Sequence, residues 1–433
     1  MCSDFAVRGR RERGLHTVRG ASMTTSEQPR SPSPMSTGQP ADVRPPAWVE
    51  VTRAASLPSS QTQGRAPLVK SILDAKRLDA LAACDGHIVS YDPKSYLIIF
   101  RLRGRNLTHA IKPLACLLIW SILWGVLFSQ FPSLQSSMLD VGDLTAPLLT
   151  PVSFLLVFRL GRAAVRFWDA RAATGKLVEI CRTMSSTALV GCASCPEVAD
   201  LFARYLCVFP MAVKEFLRGT ERRRGWTPER RRQKQRSEMG ALLLDSEINE
   251  VVDGPISDSN LTGPILVLNR LRQLAFRASK EVDADANVRA MLFNQLNSQI
   301  DTLTGAWGAM ERINATPLPY VYVSHLRTFL IIYLAIGEMD TLARYGWPAL
   351  PSLVFISWAL LGIESAAVEC ERPFRWQANH LTLGKMCIVV SKCVAQTVSD
   401  TGLGESQSAP LPISGEQAQT AGGYPTDSSS AAV

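Results

Sequence analysis

Residues 147–171 read PLLTPVSFLLVFRLGRAAVRFWDAR, an apolar helix bearing phenylalanines that turns within a few residues into one studded with arginine. Few soluble proteins have use for such a junction. Thr150, Phe154 and Phe158 lie four residues apart, as do Phe158, Arg162 and Arg166. At helical pitch, successive members are neighbours on nearly one face, drifting roughly 40° per step. A ring of such helices would set phenyl groups at a constriction and guanidinium groups at its mouth.

Outward from that junction the chain is uneven. Its mean hydropathy is near zero because long polar tails dilute an apolar middle. Apolar blocks fall at 110–128, 146–158, 320–336 and 347–363, each near or slightly below the roughly 20 residues that cross a bilayer. Four buried helices of a soluble α-protein could give runs of this length. Trp120, Trp124, Tyr320, Tyr322, Tyr345, Trp347 and Trp358 resemble interfacial aromatics, although core packing would also use some of them. Charge decides for the membrane. The connections 129–145 and 337–346 carry Asp140, Asp143, Glu338 and Asp340 against Arg344, whereas Arg101, Arg103 and Arg105, and then Arg159, Arg162, Arg166 and Arg171, flank the opposite ends. The positive-inside rule then places both termini and the segment 169–319 on one side of four spans, at about 108–128, 146–166, 320–338 and 347–366.

The ten cysteines give no disulfide framework, and the lone Cys192-x-x-Cys195 lacks the second pair or nearby histidine of a zinc site. A reducing compartment and no bound metal or cofactor are expected. The sequons at Asn106, Asn260 and Asn314 fall inside in this topology and should stay unglycosylated. Residues 1–67 are rich in Arg, Ser, Thr and Pro without hydrophobic periodicity, and are expected to be disordered. They suit either an organellar transit peptide, with a chloroplast membrane as destination, or an ordinary disordered tail, with the plasma membrane instead. Lys176, Leu177, Ile180, Cys181 and Met184 mark an amphipathic face in the soluble region. The basic stretch 217–236 reads as a solvated insertion without nucleic-acid partners. Helical pattern resumes from Glu247 with a break at Gly263-Pro264, and a polar, disordered tail is expected over 396–433.

Five patches in order, covering about 90–395, carry a resemblance. Arg101-Leu-Arg103-Gly104 precedes the first span. Pro151-x-Ser153-Phe154-x-x-x-Phe158 leads to Arg166-Phe-Trp168-x-x-Arg171. Gly263-Pro264-Ile265 lies in the soluble region. Thr316-Pro317-Leu318-Pro319-Tyr320, with His325 and Arg327, opens the third span. Gly346-Trp347, Leu361-Gly362-Ile363-Glu364 and Glu369-x-Glu371-x-Pro373-Phe374 complete the set. Together they resemble the bestrophin-like anion channels, in their prokaryotic and plastid branch. The resemblance implies an all-α membrane protein with four transmembrane helices and a soluble helical domain, assembled as a homopentamer around one pore. It further implies that Thr150, Phe154 and Phe158 form a hydrophobic neck and Ile265 a second constriction. Thr150 departs from the family's aliphatic first position. Animal members carry an acidic calcium-binding cluster after the Pro-Phe pair; here the run is Arg375-Trp376-Gln377-Ala378-Asn379-His380, which lacks the carboxylates that hard Ca²⁺ demands. Glu369 and Glu371 are expected to pair with arginines instead.

The expected activity is therefore conduction of chloride, and of other small anions such as bicarbonate or nitrate, through lipid-embedded protein. Arg162 and Arg166 would concentrate anions at a vestibule, or else snorkel or pair with Asp169 and Glu179; Arg159 is equally suited to lipid phosphate. A secondary anion transporter and a non-channel scaffold are the rival classes. The four spans show none of the inverted repeats usual in transporters. Catalysis has no support: the chain lacks G-x-S-x-G, P-loop, H-E-x-x-H and dinucleotide fingerprints.

Overall fold

The computed structural model describes residues 67–85, 107–142, 146–219, 227–253, 262–376 and 379–403. Arg101, Arg103, Gly104 and the 1–66 leader lie outside the described residues. Among the described residues every regular element is a helix. In chain order these are α1 (Leu68–Ile72), α2 (Ala75–Ala82), α3 (Leu107–Gln130), α4 (Pro132–Gly142), α5 (Ala146–Gly191), α6 (Pro196–Gly219) and α7 (Pro228–Met239). They continue with α8 (Asp245–Asp253), α9 (Thr262–Glu281), α10 (Ala286–Ala315), α11 (Tyr320–Tyr345), α12 (Leu350–Glu371) and α13 (Leu383–Asp400).

Four stretches are long and apolar enough to cross a bilayer: His109–Gln130, Pro147–Gly191, Tyr320–Tyr345 and Trp347–Glu371. The chain is an integral membrane protein built on these helices. The second stretch belongs to α5, whose 46 residues extend to about 69 Å at 1.5 Å per residue, more than twice the roughly 30 Å hydrocarbon core. This helix joins the two halves of the fold. Its first half packs through Val152 and Leu156 against Leu326, Leu330 and Leu361 of α11 and α12. Its second half packs through Leu177, Ile180, Met184 and Leu189 into a separate soluble core.

At the centre of that core lies α6, where both apolar and charged residues are buried. A helix sealed on all sides must pair its charges. Arg204 reaches Asp200 at 2.7 Å, Arg218 reaches Asp85 at 3.1 Å, and Lys214 meets Glu238 at 2.5 Å and Glu215 at 3.2 Å. These charges correct the reading of 217–236 as a solvated insertion at 217–219 and 227–236; residues 220–226 lie outside the described residues. Leu217 and Arg218 are buried at the end of α6, and residues 228–239 form α7, begun by the Thr227 hydroxyl accepting from the Arg230 amide. Arg231 and Gln235 of α7 bond Glu215, while Glu238 bonds Lys214. A charged sequence, exposed along much of its length, docks as a helix because Arg231, Gln235 and Glu238 meet buried charges on α6.

Burial alone would raise the Glu215 carboxyl, but Lys214, Gln235 and Arg231 outweigh it and hold the group below the ordinary carboxylate range. A depressed pKa contributes stability that is complete above the unfolded value, about 4.3 for Glu, and is lost as pH falls through the folded value. The melting temperature is therefore expected to drop on acidification below about pH 4. Glu215→Gln should flatten that acid limb and lower the neutral plateau, because the stabilising charge is then absent at every pH.

Three boundaries also move. Residues 132–142, read as part of an outer connection, form α4. The connection at 337–346 is largely helix, because α11 runs to Tyr345. Glu338 is consequently no outer-surface charge: it is buried, and its two oxygens accept from Ser121 Oγ at 2.8 Å and Ser357 Oγ at 2.6 Å. Residues 396–400, expected to open the polar tail, belong instead to α13, which continues to Asp400 and buries Val390, Val394 and Val398 along one face, while residues 404–433 lie outside the described residues.

Candidate functional site

The apolar-to-basic junction lies within the uninterrupted helix α5. Val152, Leu156 and Ala163 face the interior, which turns Thr150, Phe154, Phe158 and Arg162 outward; all four are exposed. Phe154 and Phe158 are 62 % and 49 % exposed, with ring centroids 4.5 Å apart in an edge-to-face arrangement. Pro151 lies near the start of the helix, and Ser153 is half-buried beside it. Gly161 opens onto free space. Trp168 is exposed and meets Phe167 edge to face. Among the described residues Arg162 has no hydrogen-bonding or ionic partner.

The arginines of this junction part company in three dimensions. Arg159 is fully buried, and its Nη2 donates to Glu371 Oε2 at 2.6 Å while its Nε stands 3.4 Å from Glu364 Oε2. This corrects its assignment to lipid phosphate: the guanidinium faces the protein interior. Arg166 donates through Nε to the Glu371 carbonyl at 2.8 Å and through Nη2 to the Ile313 carbonyl. Both acceptors are neutral, so Arg166 keeps its net charge. Glu364 also accepts from Arg327 Nε at 2.8 Å, and Glu371 Oε1 accepts from the Leu318 amide at 3.1 Å, next to Pro317. One ionic lock thus ties α5, α11, α12 and the α10–α11 connection. Glu371 pairs with an arginine as expected, and Glu369 stands beside His380, with 3.2 Å between Oε2 and Nε2. Sequence reasoning had not seen the whole lock. Its signals were an arginine at the end of an apolar run and three carboxylates, Glu364, Glu369 and Glu371, in the fourth apolar helix.

In the soluble half, Pro264 is buried in the first turn of α9 and Ile265 is exposed. Beyond Pro373 and the buried Phe374, the chain wraps around Arg218. This side chain donates to the Phe374 carbonyl at 3.3 Å, the Leu381 carbonyl at 3.4 Å and Asp85 Oδ1 at 3.1 Å, and its guanidinium lies 4.3 Å from the Trp376 ring centroid. Asp85 also accepts from the Gly384 and Lys385 amides at 2.8 and 2.7 Å, capping α13. The carbonyl and carboxylate oxygens that a hard cation would seek are engaged by a guanidinium, so this stretch does not fit a calcium ion.

Four membrane-length helices, one of them extended into a soluble helical base, define an α-helical membrane protein. Residues 87–396 match the model of the bacterial/fungal bestrophin protein family, and the chain belongs to that family. It is 28 % identical over 240 residues to a voltage-dependent anion channel-forming protein of Synechocystis, covering 54 % of this chain and 71 % of the relative. A Nostoc protein of the same description is 25 % identical over 314 residues, covering 70 % and 92 %. The fold matches a bacterial bestrophin homologue from Klebsiella pneumoniae with a TM-score of 0.54 at 20 % identity, covering 67 % of this chain and 98 % of that one.

Proposed function

We propose that the chain is an anion channel, a homopentamer conducting chloride through a pore whose neck is lined by Thr150, Phe154 and Phe158. One observation carries the reading. One exposed face of α5 presents two phenylalanines and continues directly into Arg162, which has no partner among the described residues. The relatives described as anion channel-forming proteins support it.

An anion entering a narrow pore loses hydration, and the path must offset that loss without trapping the ion. Phenyl edges carry the positive end of the ring quadrupole, so rings presenting edges to the axis favour anions, whereas faces would favour cations. The edge-to-face contact of Phe154 and Phe158 supplies edges and faces in fixed relation. Below them, rings of Arg162 and Arg166 raise the local anion concentration. Arg162 supplies the unpartnered charge, and Arg166 adds its own because carbonyls do not neutralise it. Ile265 forms a second, apolar constriction toward the soluble exit. Bicarbonate and nitrate would follow the same path. The membrane is a thylakoid or envelope membrane where residues 1–67 act as a transit peptide, and the plasma membrane where they do not.

The test is a planar-bilayer recording on the purified full chain. Unitary currents are expected, with a reversal potential that follows the chloride gradient. Reversal potentials tracking the cation gradient, or saturating flux without unitary steps, would exclude the channel reading.

A further inference from the structure

Three spans, α3, α11 and α12, line a half-open cavity of ≈ 230 Å³ that shares no residue with the proposed neck. It lies toward the basic side of the membrane. His109 is in the first turn of α3, while Arg327 stands seven residues after Tyr320 and Glu364 seven before Glu371. That spacing corresponds to about 10 Å from the helix ends, a depth from which long basic side chains reach headgroups. The wall is apolar along Leu330, Ile331 and Leu361, and polar at His109, Arg327 and Glu364.

The polar side is organised from behind. Glu364 holds Arg327 Nε at 2.8 Å and is itself backed by the buried Arg159 at 3.4 Å. The Arg327 side chain is nevertheless 50 % exposed. Among the described residues only its Nε has a protein acceptor, which leaves both terminal amino groups open to a further acceptor. A guanidinium fixed by one edge with its remaining donors open is suited to a phosphate oxygen pair. Pro113 has no amide hydrogen, which deprives the His109 carbonyl of its helical partner and leaves another polar group at the same end. Around the lock two guanidinium groups, from Arg159 and Arg327, face two carboxylates, from Glu364 and Glu371, and a third, from Arg166, bonds the Glu371 carbonyl. The surplus is positive.

We propose that this cavity is a phospholipid site, with the headgroup phosphate on Arg327 and the glycerol and first acyl carbons along Leu330, Ile331 and Leu361. The apolar wall and the depth select a lipid over a free aqueous anion, which would gain nothing from three aliphatic side chains.

The test uses the full chain reconstituted into bilayers containing phosphatidylglycerol, re-extracted gently and analysed by native mass spectrometry. Wild type is expected to retain about one phosphatidylglycerol per chain, and Arg327→Gln about tenfold less, the loss expected when a charge-assisted fork is removed. Arg327→Gln also takes a partner from Glu364 and could weaken the fold. Ile331→Trp fills the cavity, leaves every charge in place and should lose the lipid equally. No retained lipid in wild type, or equal retention in wild type and Ile331→Trp, overturns the proposal. So does a rise in the melting temperature of delipidated wild type with inorganic phosphate alone that Ile331→Trp abolishes, because the ligand would then be a free anion. These readouts are independent of conduction.

Discussion

Arg159→Met is expected to destabilise the folded chain by on the order of 3–5 kcal/mol, the cost of leaving a buried charge without its partner. Arg159 is fully buried at the point where α5 crosses α12. Its removal leaves Glu371 with the Leu318 amide as its side-chain partner, and Glu364 with the half-exposed Arg327 alone. Methionine fills most of the volume, which isolates the electrostatic loss from a cavity. In detergent, thermal unfolding followed by size-exclusion fluorescence should show a melting temperature many degrees lower, or no folded peak. Adding Glu371→Gln should recover part of the loss, since replacing both members of a buried pair is far less costly than breaking one. Arg162→Met, three residues along, should move stability by no more than about 0.5 kcal/mol, because an exposed side chain without partners has little to lose. Equal effects of the two arginine substitutions would dismiss the lock.

Phe154→Ala combined with Phe158→Ala should have the larger consequence for conduction. Both rings are exposed on the chain, so their removal costs the fold little beyond the edge-to-face pair, worth about 0.5–1.5 kcal/mol. At the axis the effect is multiplied by every copy in the ring. An apolar constriction gates by dewetting, and widening it lowers that barrier. A reduction of about 1.4 kcal/mol would raise the current roughly tenfold. Discrimination among anions of different hydration should flatten as the phenyl edges disappear. Bilayer recordings with chloride, nitrate and bicarbonate on the two sides read both changes. Permeability ratios and open probability equal to wild type, with protein of unaltered melting temperature, would remove the neck from α5.

The four spans were legible in the sequence because transfer of a hydrophobic run into lipid depends on the composition of that run alone. The orientation of Phe154, Phe158 and Arg162 was legible for a similar reason, since helical pitch relates residues four apart without reference to the rest of the chain. The same pitch puts Arg159 about 140° around the helix from Phe154, which removes it from that face without saying what it meets. Other features were misread where the deciding contact was remote. Residues 228–239 look solvated until the buried Lys214 and Glu215 are placed beside them. Glu338 looks like an outer-loop charge until Ser121 and Ser357 converge on it.

By itself, then, the sequence determined an all-helical membrane protein with four spans and an aromatic-to-basic face on the second, since hydrophobicity and periodicity are local properties. Only the tertiary structure decided which charges are free and which are locked. Arg159 and Glu371 are 212 residues apart along the chain, and nothing within one helix sets their meeting. Burial makes such a pair obligatory once formed, because a lone charge in the interior is too costly to keep.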